Sequence, residues 1–240
     1  MDKRFWGILV AIVLVLGGIY WATTSHKASA PSSSSTKPTS HIEGQGQDGI
    51  TLVEYGDYEC PYCGEYYPIV KQVAAIYSKE IFFQFRNLPL TQIHPNAFAG
   101  ARAAEAASLM GEFWQMHDLL YENQNQWVQS PNPQTQFDQY AKQLGLNVSK
   151  FNQNFASSEV NNRINADVAA FNKLNLQEAT PTFLLNGKHI QPGATVSSFE
   201  QFINAAIKKK GLAPPTAVGS TGSSNTPSPT GQSVQVKSKP

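Results

Sequence analysis

Cysteine is nearly absent from this 240-residue chain. There are two, Cys60 and Cys63, and both stand in one four-residue run, Cys60-Pro61-Tyr62-Cys63. A disulfide-stapled scaffold spreads its cysteines between distant elements, so that class is excluded. A thiolate zinc site needs two more soft ligands, and no second cysteine pair supplies them. Charge is scarce too: 15% of residues are charged and the formal net charge is +1. There is no basic field for nucleic acid and no acidic block of the solvating kind. Between Asp48 and Lys210 stand 12 Lys and Arg against 15 Asp and Glu, a net of −3. No repeat of solenoid length is present. A Cys-x-x-Cys alone at the start of a helix is the arrangement redox chemistry uses. A structural pair, or half of a metal site, is the blander alternative.

One long hydrophobic run is present. Residues 5–21 read FWGILVAIVLVLGGIYW, without a charge. As a helix it would reach about 25 Å, just enough to cross a hydrocarbon core. Trp6 at one end and Tyr20 and Trp21 at the other suit the two interfaces. Lys3 and Arg4 precede it, which places the N-terminus in the cytoplasm and everything after Trp21 outside. The alternative is a cleaved signal peptide, with Ala28-Ser29-Ala30 as the small-residue site. Pro31 and the distance from the apolar run argue against cleavage. Either reading delivers the rest of the chain to an oxidising compartment.

The expected organisation is a cytoplasmic stub and transmembrane anchor at 1–21, a flexible linker at 22–47, one folded domain at 48–210 and a disordered tail at 211–240. Both biased segments are rich in Ser, Thr, Pro and Gly and bury little apolar area. Within the domain, 51–56 and 81–85 read as strands around a helix at 61–78. A helical block follows, opened by His94-Pro95 with proline at a first helical position. It runs through the alanine-dense stretch at 97–110 to about 175. Thr182–Leu185 and Lys188–Gln191 flank Asn186-Gly187, a hairpin signature. A last helix, capped by Ser197 or Ser198, ends in Lys208, Lys209 and Lys210, which favour the negative end of its dipole. Without the block, a small α/β unit is left: a βαβ crossover, a hairpin and a helix.

The expected chemistry follows from position. Cys60 follows a strand and opens a helix, where unpaired N–H groups and the dipole lower a thiol pKa. Pro61 suits the first helical position because its missing N–H has no partner to lose. Cys63 lies one turn on and deeper. Cys60 is then the exchanging sulfur, and Cys63 resolves the mixed disulfide. Glu59 adds a like charge that would raise the Cys60 pKa if close. Asp57 is read as solvent-facing and without a role. His94 is read as a helix cap, His117 as packing on a helix and His41 as part of the tether.

Glu54 through Cys63, EYGDYECPYC, resembles the active-site segment of the DsbA-like thiol–disulfide oxidoreductases of the thioredoxin superfamily. Ala179-Thr180-Pro181-Thr182-Phe183 resembles that superfamily's cis-proline loop. The helical block matches the insertion of the DsbA-like branch, and Gly111–Asp118, GEFWQMHD, has the look of it too. The resemblance covers about 48–210. It implies a thioredoxin fold with a helical insertion between the second and third core strands. It places Thr180 and Pro181 beside the Cys60 sulfur, where Thr180's backbone can pair with an extended substrate. Tyr62 and Pro61 complete the substrate-facing surface. The superfamily often carries a buried acid at the position of Glu54, able to trade a proton with Cys63; the alternative is an exposed strand carboxylate. The best-known strong oxidants carry histidine where this chain has Tyr62, which points to a less oxidising couple.

The expected function is disulfide insertion into secreted or surface proteins, by a monomer with a membrane quinone-linked partner to recharge it. Neither metal nor cofactor is expected, nor is nucleic acid a partner. A reductase serving cytochrome maturation and a non-catalytic peptide-binding holdase or adaptor are the rival readings.

Overall fold

The computed structural model describes residues 37–215. The segments read as an anchor at 1–21, as a linker as far as residue 36 and as a tail from 216 lie outside the described residues. Among those described, no helix is long and apolar enough to cross a membrane.

Five strands form one sheet: β1 (His41–Glu43), β2 (Ile50–Gly56), β3 (Ile81–Asn87), β4 (Thr182–Leu185) and β5 (Lys188–Ile190), in the order β1-β3-β2-β4-β5. β2 and β3 run parallel, and the other neighbours are antiparallel. A parallel pair needs a crossover, and α1 (Pro61–Ile76) supplies it. The hairpin β4–β5 turns at Asn186 and Gly187, both with positive φ, the geometry that an Asn-Gly pair accepts most readily. α8 (Val196–Lys209) closes the unit. Its cap is Thr195, whose hydroxyl accepts from the Ser198 N–H, two or three residues earlier than the sequence suggests.

Between β3 and β4 lie α2 (Ala97–Ser108), α3 (Phe113–Glu122), α4 (Gln124–Trp127), α5 (Gln134–Gln143), α6 (Val148–Phe155) and α7 (Ser158–Asn172). This is the α/β thioredoxin-like architecture with its helical insertion. The central strand β2 is covered on both faces, which is why its run is nearly all apolar. Ile50 and Leu52 pack with Val70 and Val73 of α1 and with Phe199 and Ile203 of α8. Val53 and Tyr55 pack on the opposite face against Phe171 of α7. The insertion has its own core around Trp127, Phe137 and Phe151, and that core extends under Cys60 and Cys63.

The reading of 22–47 as a tether is corrected over its second half. His41–Glu43 forms β1, in register with Phe83–Phe85 of β3. Beyond it, the Gln45 N–H donates to Ser78 O at 2.7 Å and the Gln47 N–H to Lys79 O at 2.8 Å. Thr39 is pinned by its N–H and its hydroxyl to the two oxygens of the buried Asp167, both at 2.7 Å. Backbone and polar side chains do this docking, so the segment's low hydrophobicity gives no sign of it. Gly44 has φ +87°, and a Cβ there would sit 2.3 Å from the Ile81 carbonyl, so glycine is required.

Candidate active site

The end of β2 and the start of α1 set the two sulfurs. Cys60 is the N-cap residue of α1, extended at φ −66° and ψ 122°, and Pro61 follows at the first helical position as expected. The loop is held open by Gln124 of α4. Its side-chain amide donates to Tyr58 O at 2.8 Å and to Cys60 O at 2.9 Å. Gly64 permits this approach, since a Cβ there would lie 2.6 Å from the Gln124 Oε1.

Both cysteines are free thiols. Cys60 is 4% exposed and Cys63 fully buried. Their electrostatics diverge. A hydrogen bond from Cys63 is the largest influence on Cys60. With help from the Thr180 side chain and the Cys63 and Tyr62 N–H groups, it outweighs partial burial and lowers the thiol to about 6. Burial drives Cys63 the other way, well above the ordinary thiol value, and the nearby Cys60 and Glu54 add to the rise. Its sulfur accepts one N–H, from Asp57 at 3.5 Å.

Thr180 and Pro181 sit where the resemblance implies. The peptide bond between them is cis, and the Cys60 thiol donates to Thr180 O at 3.5 Å. The Thr180 hydroxyl is buried with no other protein partner. Beside the sulfur runs an open groove of about 360 Å³, lined by Tyr62, Tyr66, Thr180, Pro181, His189 and Pro192 among others. Tyr62 is 66% exposed on its rim, and Tyr66 ties α1 to the far wall through a 2.9 Å bond to Pro192 O.

Glu54 lies behind the pair. It occupies the β2 face shared by Ile50 and Leu52 and is 3% exposed, so the exposed-carboxylate alternative fails. Burial, with a contribution from Cys60, raises its carboxyl to about 8. At neutral pH it is protonated, within electrostatic reach of Cys63.

Four expectations are overturned. Asp57 does not face solvent: it is 1% exposed. Its carboxylate accepts from the Glu59 N–H at 2.8 Å, the Leu90 N–H at 3.0 Å and His94 Nδ1 at 2.7 Å. It therefore stitches the active-site turn to the segment entering the insertion. The carboxylate–amide contact two residues ahead is an Asx-turn, and Asp at that spacing is its sequence sign. Glu59 is not left beside the thiol as a free charge, because its carboxylate takes the Asn96 N–H at the start of α2. His94 is thus a partner of Asp57 rather than a helix cap. His41 lies in β1 and contacts Glu105 at 2.7 Å. Gln124, Tyr66 and the Asp57–His94 pair carry no sequence mark that links them to the cysteines, since only the fold brings them there. Among the described residues no cluster of side chains suits a metal ion.

A family model described as thioredoxin matches residues 36–205. The sodium/proton antiporter NhaA 3 of Salinispora tropica is 34% identical over 174 residues, covering 72% of this chain and 26% of that protein. NhaA 1 of Mycolicibacterium gilvum is 36% identical over 152 residues, covering 62% and 23%. The chain thus spans about a quarter of the length of these curated relatives. Among solved structures, BdbD from Bacillus subtilis aligns with TM-score 0.63 at 23% identity over 72% of this chain and 96% of that one. MdbA, a thiol–disulfide oxidoreductase from Corynebacterium diphtheriae, aligns with TM-score 0.55 at 19% identity over 71% and 95%.

Proposed function

This chain belongs to the thioredoxin family, and from that premise we propose that it is a DsbA-like thiol–disulfide oxidoreductase acting outside the cytoplasm, inserting disulfides into secreted or surface proteins. One observation carries the reading: two sulfurs three residues apart, one lowered to about 6 beside an open groove and the other buried and raised. In the oxidised enzyme a substrate thiolate in the groove attacks Cys60 Sγ. The Cys60–Cys63 bond breaks, a mixed disulfide forms, and the electron pair leaves on Cys63, which takes a proton from Glu54. The substrate's second thiolate then attacks its own bridged sulfur and expels Cys60 as a thiolate. Two electrons pass from substrate to enzyme. One proton ends on Cys63 and, above pH 6, the other goes to solvent. Expelling a stable thiolate favours this direction, because a couple whose reduced form is stabilised oxidises others.

Glu59 is occupied by the Asn96 N–H, which removes one of the two reasons for a weak oxidant. Tyr62 is the other, and it favours the reductase as the second reading. The extracytoplasmic setting is supported by the apolar run at 5–21 and the basic residues before it. A quinone-linked membrane protein is the proposed recharging partner. The test is the reduction potential of the Cys60–Cys63 couple together with thiol trapping in cells. A largely oxidised pair with a potential near the strong-oxidant end supports oxidation, and a largely reduced pair overturns it. A Cys60→Ser chain that keeps full function in cells would instead favour the holdase.

A further inference from the structure

Behind the cysteines is a second, much smaller cavity of about 20 Å³, bordered by Glu54 at its inner end and by Glu43 and Lys71 at its outer end. It has room for one water molecule. His117 and Tyr121 of α3 line it as well. The His117 Nε2 atom and the Tyr121 hydroxyl are both buried without a protein partner. Unpaired buried polar atoms are costly, and two of them beside one water-sized space and one buried acid mark a hydrated site. The outer side of His117 is tied to the surface. Its Nδ1 lies 3.4 Å from Asp118 Oδ1, and Asp118 Oδ2 lies 2.6 Å from Lys71 Nζ. Asp118 and Lys71 are 32% and 52% exposed.

We infer that this cavity is the path by which the proton used by Cys63 and Glu54 is exchanged with solvent, with His117 Nε2 as the proton-accepting group inside it. The inference rests on the oxidoreductase reading above. In each reduction of the pair one proton must reach Cys63, and in each oxidation it must leave. Cys63 is fully buried and Glu54 3% exposed. The groove side is closed when the proton is needed, because the mixed-disulfide substrate lies over Cys60. The back is the remaining side, and the cavity is there.

The tautomer of His117 suits the task. Burial lowers its pKa, so the ring is neutral at physiological pH. Nδ1–H donating to Asp118 leaves the Nε2 lone pair directed into the cavity. The charged and titratable groups facing the ring are His41 and Glu43 from β1, Glu54 from β2, Tyr58 from the turn after β2, Tyr67 and Lys71 from α1, and Asp118 and Tyr121 on its own helix. Burial would raise Asp118, but bonds from His117, Lys71 and Tyr67 hold it near 2, so it remains a carboxylate acceptor. In the reduction half, Glu54 gives its proton to Cys63 and regains one through the bridging water and His117. In the oxidation half every transfer reverses and the electrons pass to the recharging partner, whose place glutathione disulfide takes in the test. His117 touches neither sulfur. It is a positioning residue.

The test is steady-state oxidation of a dithiol peptide by the full-length chain, with glutathione disulfide as terminal oxidant, in light and heavy water. His117→Phe should lower turnover about tenfold at pH 7, short of the ~100-fold a directly contacting acid or base supplies. The solvent isotope effect should rise, while the alkylation rate of Cys60 stays as in the wild type. Asp118→Asn, a change at a part-exposed side chain outside the core, should lower turnover about threefold with the same rise. In His117→Ala, added imidazole should restore turnover in proportion to its concentration. Wild-type turnover in both His117→Phe and Asp118→Asn overturns the inference, as does a loss with no change in isotope effect. Should His117→Phe fail to fold, Asp118→Asn decides alone, and wild-type behaviour there overturns the path. A wild-type chain that oxidises no peptide overturns the oxidoreductase reading instead, which separates the two failures.

Discussion

Cys60 and Cys63 are one helical turn apart, yet they inhabit opposite environments. Cys60 sits where helix α1 begins, against a groove of about 360 Å³, among donors that favour its thiolate. Cys63 sits inside, over the core of the insertion, where burial favours the thiol. The difference teaches that a helix end and a sheet interior can divide two identical side chains into an attacking and a resolving sulfur. No extra catalytic residue is needed on the groove side. On the inner side the proposed exchange needs one, and Glu54, a buried acid on β2, is the candidate.

The comparison can be broken at several points. The largest effect belongs to the sulfurs. Cys60→Ser should abolish exchange with peptide dithiols. Cys63→Ser should still form the mixed disulfide and then hold it, so a non-reducing gel after incubation with an oxidised peptide should show an adduct only in the second variant.

Next comes the inner acid. Glu54→Gln should slow turnover at pH 7 by about 100-fold, the scale of a positioned proton donor. It should also stabilise the fold. The carboxyl titrates near 8 in the folded chain against about 4.5 when unfolded. Between those values the folded state holds the extra proton, so wild-type stability falls as pH rises from about 4.5 to 8 and stays lowered above it. The variant lacks that slope. Urea unfolding at pH 8 should place it about 4 kcal/mol above wild type, and at pH 4 the two should coincide.

The groove side has its own pH signature. Alkylation of Cys60 should rise with a midpoint near 6, while Cys63 stays unreactive in the folded protein. The sign follows from a lowered folded value: as pH rises from about 6 towards 9, the reduced enzyme gains stability relative to its unfolded chain. Removing the donor hydroxyl in Thr180→Val should move that midpoint upward.

The smallest effect should come from the turn itself. Gly64→Ala displaces the Gln124 amide from Tyr58 O and Cys60 O. A loss of about 1 kcal/mol is expected by denaturation, the worth of a hydrogen bond or so, because the long Gln124 side chain can swing aside.

Much of this was legible in the chain. The two-cysteine run at the head of a helix, the alternation that turns Glu54 to the same face as Leu52, the Asn-Gly hairpin and the alanine-dense helix of the insertion are local signals, and each lies within a few residues of what it specifies. β1 was not legible. Its three residues dock through backbone bonds to the edge of β3, and polarity alone reads such a segment as linker. Asp57, Glu59 and His94 were misread for a related reason. The two carboxylates are met by the Leu90 N–H, the His94 imidazole and the Asn96 N–H, all contributed by a loop some 35 residues further along.

The sequence by itself determined which atoms are candidates for chemistry here: two thiols at fixed spacing, one proline at a helix start, one acid on a mostly apolar strand. Those follow from helix and strand periodicity, which are properties of the chain alone. Tertiary structure decided what those atoms are worth. Packing of the insertion against β2 and α1 removes water from Cys63, Glu54 and His117 while leaving Cys60 at a groove. Desolvation and hydrogen-bond supply, the two quantities that set their proton affinities, exist only once distant segments have met.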